Sequence, residues 1–249
     1  MLLYAIRSAI VLLYLVLALV LVMPWFILWG IFTNSPDPMY RAAMRTIRLG
    51  TRLVGIRVRV EGAENIPAGV CIFAANHAST LDPCVLLPEI PRRVSSLVKK
   101  ELFRIPIFSS GIRLAQIVSV DRADREAAGA SVNTATALLK TGLSFAIFPE
   151  GTRSPDGRLR PFKKGAFIMA IDTGVPIVPV SLAGTQSLMP KGAWVVRPGE
   201  VIVRFSPAVN AAAYTLNRRA ELLAHVESLV AAALPPDQQP PFPSARSIK

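Results

Sequence analysis

The stretch VCIFAANHASTLDP (70–83) decides how the rest of the chain is read. An apolar run, VCIFAA, ends abruptly in the polar cluster Asn76-His77-Ala78-Ser79-Thr80, and Asp82 arrives five residues after the histidine. A short apolar run bounded by turn-forming polar residues reads as a core strand. The same pattern recurs in VSSLVK (94–99), IVSVD (117–121), LSFAIFP (143–149) and PIVPVSL (176–182), while VRVRVEG (57–63) alternates like a half-buried strand. Amphipathic stretches fall between them, clearest in DREAAGASVNTATALLK (124–140), and a last helix is expected over 215–233. Strands alternating with helices predict an α/β fold, a largely parallel sheet flanked by helices. WVVRPGEVIVRF (194–205) reads as a hairpin turning at Pro198-Gly199, and the proline-rich 234–249 as an unpacked, disordered tail. The chain has no internal repeat.

Polar clusters follow these strands: Asn76 to Asp82, then Asp121-Arg122, then EGTRS (150–154). In an open α/β sheet the carboxyl ends of parallel strands face one crevice, where ligands bind. Residues far apart in sequence are therefore expected to meet there.

The amino terminus is of another kind. The 29 residues between Arg7 and Asp37 carry no charge, and about 20 apolar residues suffice to cross a bilayer as helix. Residues 1–36 read as a membrane anchor rather than a cleaved signal, since no small-residue cleavage site follows the run. Pro24 leaves two forms open, one span or a kinked, re-entrant pair of short helices. Trp25, Trp29 and Tyr4 suit a membrane interface. Over 37–56, Arg41, Arg45, Arg48 and Arg52 recur at helical spacing beside Met44, Ile47, Leu49 and Leu53. That pattern fits a helix lying on anionic lipid or the solvated face of an ordinary helix. Six arginines between positions 41 and 59 place the following domain in the cytoplasm, at the inner membrane, by the positive-inside rule. The net charge of +12 would suit nucleic acid, but its concentration beside an apolar anchor points to lipid instead.

Cys71 and Cys84 lie in or beside apolar runs and read as buried thiols without a disulfide or metal-ligand spacing. With His77 and His225 the only histidines, a zinc site is not expected. His77 and Asp82 are separated by just enough chain for a strand to end and a helix to start, with Ser79 and Thr80 offering N-cap hydroxyls. A carboxylate that accepts from one imidazole nitrogen fixes the tautomer and stabilises the imidazolium of a general base. Taken alone the pair is equally a satisfied strand-end histidine. No G-x-S-x-G elbow occurs, so the nucleophile of a His–Asp base would come from the substrate, a hydroxyl for instance. FPEGTRSPDGRLRPFKKGAF (148–167) then adds Arg153, Arg158, Arg160, Lys163 and Lys164, with Gly151 allowing close backbone approach. Guanidinium forks match phosphate oxygens, and a helix beginning near Lys163 would add amides. Alone such a basic loop is usually just solvated; placed at the same sheet edge as His77, it describes a base next to a phosphate cradle.

Four blocks in order over about 105 residues resemble the 1-acyl-sn-glycerol-3-phosphate acyltransferase family, the glycerolipid acyltransferases with NHxxxxD and FPEGTRS motifs. NHxxxxD matches Asn76 to Asp82, and Lys100-Glu101-Leu102 with Pro106 and Arg122 matches the second block. FPEGTRS matches Phe148 to Ser154, and VPIVPV matches Val175 to Val180. Where members commonly have glycine, three and ten residues after the block-two proline, this chain has Ser109 and Gln116. The resemblance implies a glycerol-3-phosphate acyltransferase-like domain over 57–233. It implies His77 and Asp82 as catalytic residues, and Glu150, Gly151, Thr152 and Arg153 in the acceptor site. Arg122 is implied as a further phosphate partner, and Lys100 as a ligand of phosphate or of the carbonyl oxygen. The implied reaction moves a fatty acyl group from acyl-CoA or acyl-carrier protein to the sn-2 hydroxyl of lysophosphatidate, giving phosphatidic acid for phospholipid biosynthesis, with no cofactor and no metal. The alternatives are the same chemistry on another acceptor (a lyso-ornithine lipid, another lysophospholipid, glycerol 3-phosphate) and a non-catalytic membrane lipid-binding protein.

Overall fold

The computed structural model describes residues 1–121 and 124–240. Its strands are β1 (Ile56–Glu61), β2 (Ile72–Ala75), β3 (Val94–Lys99), β4 (Val118–Val120), β5 (Ser144–Ile147), β6 (Ile177–Ala183) and β7 (Gly199–Phe205). Among the described residues they form one seven-stranded sheet in the order β1-β7-β6-β2-β5-β3-β4. Every neighbouring pair is parallel except β6 with β7. Side-chain alternation sets the layers. In β2, Phe73 and Ala75 join one core cluster and Ile72 and Ala74 the other, and all four are fully buried. Successive strand residues face opposite ways, so a strand apolar throughout needs a layer on each side.

The Phe73 side is covered by α1 (Leu2–Leu17), α2 (Met23–Phe32), α3 (Asp37–Leu53) and α4 (Asp82–Leu86), through Val11, Ile27, Met39 and Val85. The helix α5 (Phe108–Leu114) leads into β4. The Ile72 side is covered by α6 (Arg125–Lys140), α7 (Gly165–Thr173) and α9 (Arg219–Ala233), through Leu139, Phe167, Leu222 and Val226. A short α8 (Thr185–Leu188) follows β6.

The apolar amino terminus forms a continuous helix from Leu2 to Phe32, long and apolar enough to cross a membrane. Pro24 does not split it. A proline removes one helical N–H and crowds the carbonyl four residues back. The chain answers with a π turn over Ala18–Val22, in which the Met23 N–H reaches the Ala18 carbonyl, a common way of absorbing such a fault. One flank of this helix packs on α3, with the Tyr14 hydroxyl donating to the Thr46 carbonyl. Val11, Met23 and Ile27 belong to the same core as the sheet. Its other faces leave Leu12, Leu13, Leu21, Trp25, Trp29 and Phe32 exposed. Of the arginine stripe on α3, Arg41, Arg45 and Arg52 are exposed, whereas Arg48 is spent internally on Glu89 and the Pro88 carbonyl.

Two expectations are corrected. The 194–205 hairpin does not form, because only Gly199–Phe205 is a strand, inserted between β1 and β6. The preceding amides are claimed elsewhere: Val196 N–H donates to Ser8 Oγ and Arg197 N–H to the Leu188 carbonyl, while Pro198 has none to give. The tail is not loose from its start. Leu234 is buried, and the Leu159 N–H donates to the Gln238 carbonyl at 2.8 Å, so 234–240 packs back on the domain. A leucine with an apolar slot and a carbonyl with a donor outweigh the proline-rich composition there. Residues 241–249 lie outside the described residues.

Candidate active site

Five strands, β2 to β6, run the same way, so their carboxyl ends share one edge. β2 and β5 are neighbours in the middle of the sheet, which brings the segment 76–82 beside the segment 148–154. Asn76 closes the gap on the other side. Its Nδ2 donates to the Leu182 carbonyl at 3.0 Å and its Oδ1 accepts the Leu182 N–H at 2.7 Å. The side chain thus continues the β2–β6 ladder one residue past the strand.

Asp82 is fully buried, and its Oδ2 accepts three hydrogen bonds: from Nδ1 of His77 at 2.7 Å, from the Ala78 N–H at 2.7 Å and from the Ser79 N–H at 2.8 Å. A carboxylate fed by two backbone amides has one orientation, and the imidazole inherits it. With Nδ1–H directed at the carboxylate, the neutral ring carries its lone pair on Nε2. The His77 ring, 13 % exposed, stacks on Phe148 with centroids 4.3 Å apart and planes at 25°. Ser79 and Thr80 do not cap α4, whose N-cap is Leu81 without a side-chain cap. The Ser79 hydroxyl instead donates to the Met189 carbonyl and accepts the Leu81 N–H. The Thr80 hydroxyl accepts from Arg153.

The second segment supplies cations and clamps. Arg153 reaches the histidine's own loop through Thr80, and Lys191 donates to the Arg153 carbonyl at 3.3 Å. Gly151 is in the left-handed region at φ 73°, and a methyl group placed there would lie 2.9 Å from both Cε and Nζ of Lys163. Only glycine lets the lysine chain lie across the turn. Thr152 follows in the same loop, half-buried. Glu150, grouped by the motif with the acceptor-binding residues, is only 3 % exposed and aims both oxygens at backbone. Oε1 accepts the His77 N–H at 2.6 Å and Oε2 the Arg160 N–H at 3.2 Å. Burial pushes its carboxyl up to about 8 against the pull of those two amides.

Lys100 stands apart. It follows β3, two strand positions from β2 in the sheet, roughly 10 Å away at about 4.8 Å per strand. It pairs with Asp121, which holds its ammonium above the usual lysine range. Arg122 lies outside the described residues. No group of three or more His, Cys, Asp or Glu side chains is placed to hold a metal ion among the described residues. Burial pushes the Cys71 thiol up to about 11, and burial with the nearby Asp82 charge does the same for Cys84, so neither is a poised nucleophile.

Asn76, Phe148, Ser154 and Lys191 were not singled out by sequence reading. The first three belong to matched blocks and carried a signal; Lys191 sits in a loop with none.

Comparison with known proteins bears on all of this. Residues 57–183 match the Acyltransferase family. The chain is 33% identical over 189 residues to a 1-acyl-sn-glycerol-3-phosphate acyltransferase of Limnanthes alba, covering 76% of this chain and 67% of that one. It is 34% identical over 179 residues to a protein of the same name from Pseudomonas aeruginosa, covering 69% of each. The crystal structure of the 1-acyl-sn-glycerophosphate (LPA) acyltransferase, PlsC, from Thermotoga maritima superposes with a TM-score of 0.78 at 31% identity, over 92% of this chain and 95% of the other. The fold, the ordered motifs and these likenesses agree: the chain belongs to the 1-acyl-sn-glycerol-3-phosphate acyltransferase family.

Proposed function

We propose that this protein transfers a fatty acyl group from a thioester, acyl-CoA or acyl-carrier protein, to the sn-2 hydroxyl of 1-acyl-glycerol 3-phosphate, yielding phosphatidic acid. The observation that carries the reading is the His77–Asp82 pair, with Arg153 of the neighbouring 148–154 segment reaching the same loop through Thr80. His77 Nε2 removes the hydroxyl proton as the oxygen attacks the thioester carbonyl carbon, and Asp82 steadies the imidazolium. Collapse of the tetrahedral intermediate breaks the C–S bond, and the imidazolium returns its proton to the departing thiolate. The thioester is already activated and the nucleophile belongs to the acceptor, so the mechanism calls for neither a metal nor an enzyme thiol.

Arg153 and Lys163 are assigned to the acceptor phosphate, with Gly151 and Thr152 forming the floor of that subsite and Lys100 further out, and Arg122 is proposed as a further phosphate partner. A phosphate monoester is close to a dianion at neutral pH, and two cations match it. The helix Leu2–Phe32 and the exposed Arg41, Arg45 and Arg52 hold the crevice at a lipid surface where acceptor and product both reside. By the positive-inside rule that surface is the cytoplasmic face of the inner membrane. A non-catalytic lipid binder has no use for an oriented base.

Purified protein in detergent or liposomes, given radiolabelled acyl thioester and lysophosphatidate, is expected to form phosphatidic acid, and His77→Ala to abolish it without unfolding the chain. Near-normal transfer by His77→Ala would overturn the mechanism. A panel of lyso-acceptors in the same assay identifies the preferred hydroxyl.

A further inference from the structure

The β2 ladder ends at Ala75, so the backbone of His77, two residues later, has no strand partner to hold it. Both of its polar groups are nonetheless engaged. The His77 carbonyl accepts the Ser154 N–H at 2.8 Å, and the His77 N–H donates to Oε1 of Glu150 at 2.6 Å. The other Glu150 oxygen takes the Arg160 N–H, tying the far arm of the basic loop to the same carboxyl. At 3 % exposure this side chain has no face left for a ligand. A buried carboxyl is costly to keep, and here its two hydrogen bonds both go to main chain.

We propose that Glu150 is a positioning residue: it fixes the main chain of His77, and through it the height of the imidazole over the crevice, without touching the acceptor. Two carboxyl groups then divide the work. Asp82 orients the ring about its own bonds, and Glu150 sets where the Cα that carries it stands. A displacement of about 1 Å at a catalytic group can cost about a hundredfold in rate. The functional motif around Glu150 is thereby split, with Gly151 to Arg153 facing the acceptor and Glu150 facing inward. The inference rests on His77 being the base.

The test is steady-state kinetics of Glu150→Gln and Glu150→Ala with lysophosphatidate varied at saturating acyl thioester, beside Arg153→Ala and His77→Ala. Glu150→Ala, which removes the acceptor of the His77 N–H, is expected to lower kcat by about a hundredfold while KM for the acceptor stays within about twofold, and Glu150→Gln, whose amide oxygen still accepts that N–H, to recover most of the loss. Arg153→Ala is expected to raise KM. If Glu150→Gln raises KM tenfold or more with kcat intact, Glu150 binds acceptor and the proposal falls. Turnover by His77→Ala would instead sink the reading of the base and leave the kinetics of Glu150 to be judged separately by the same split. Should the variants fail to fold, the wild-type enzyme decides. The 13C carboxyl resonance of Glu150 is expected to hold its position as lysophosphatidate is titrated in, and a shift saturating with acceptor binding would overturn the proposal.

Discussion

Along the one edge where the parallel strands end, the middle and the outer flank are built differently. At β2, β5 and β6 the polar side chains are buried and cross-tied: Asp82 is 0% exposed, Glu150 3% and Asn76 2%. Between them they take up the backbone amides of His77, Ala78, Ser79, Arg160 and Leu182. At β3 and β4 the charges are in water, with Lys100 48% exposed and paired to Asp121. The difference teaches where precision is required. Proton transfer needs a base fixed to a fraction of an ångström, so the middle is over-determined. An exposed cation such as Lys100, paired to Asp121, is under no such demand.

The contrast is sharpest at Asp82. Asp82→Asn keeps an oxygen for the Ala78 and Ser79 amides but removes the charge that stabilises the imidazolium. Single-turnover rates are expected to fall by about 10³ to 10⁴-fold with little change in melting temperature. A loss below tenfold would mean that the middle of the edge is no more demanding than its flank.

Glu150 gives a pH signature. Its folded-state carboxyl titrates at about 8 against an ordinary value of 4.5, so between those values the folded chain binds a proton that the unfolded chain does not. Stability contributed there is present below pH 4.5 and lost as pH rises through 8. Thermal unfolding of wild type against Glu150→Gln over pH 5 to 9 is expected to show this slope in the wild type and its absence in the variant.

The outer flank predicts smaller effects. Gln116 occupies a left-handed position at φ 59° after α5, with its side chain held by Arg93 at 3.0 Å. It is one of the two positions where the resemblance to the acyltransferase motifs leads one to expect glycine, and a residue with a Cβ is strained in this backbone conformation. Gln116→Gly is expected to raise stability by about 0.5 to 1 kcal/mol, net of the lost hydrogen bond, in denaturant titrations. Lys100→Ala should change unfolding by less than about 1 kcal/mol, as exposed ion pairs do, and act on acceptor KM rather than kcat. A large fall in kcat would place Lys100 at the reacting carbonyl and break the comparison.

Much of this was legible in the chain. The buried strands announced themselves because a strand enclosed on both faces has few polar positions to disguise it, and every strand expected outside 194–205 is present within a residue or two. The pairing of His77 with Asp82 was legible because it is local: five residues suffice for the turn. The hairpin at 194–205 was misread because local alternation says nothing about which distant amides compete for Val196 and Arg197.

Short-range order and composition therefore carry the α/β class, the apolar helix, the His77–Asp82 pairing and the ordered motifs. Which side chain of each motif turns into the protein and which reaches the rim is settled by the fold alone. Glu150 and Arg153 are three residues apart in one motif, yet one is turned into the protein against the His77 amide and the other toward Thr80 at the rim. Direction of that kind is set by the left-handed turn at Gly151 and by the strand lying next to it, and neither is written in the identity of the glutamate.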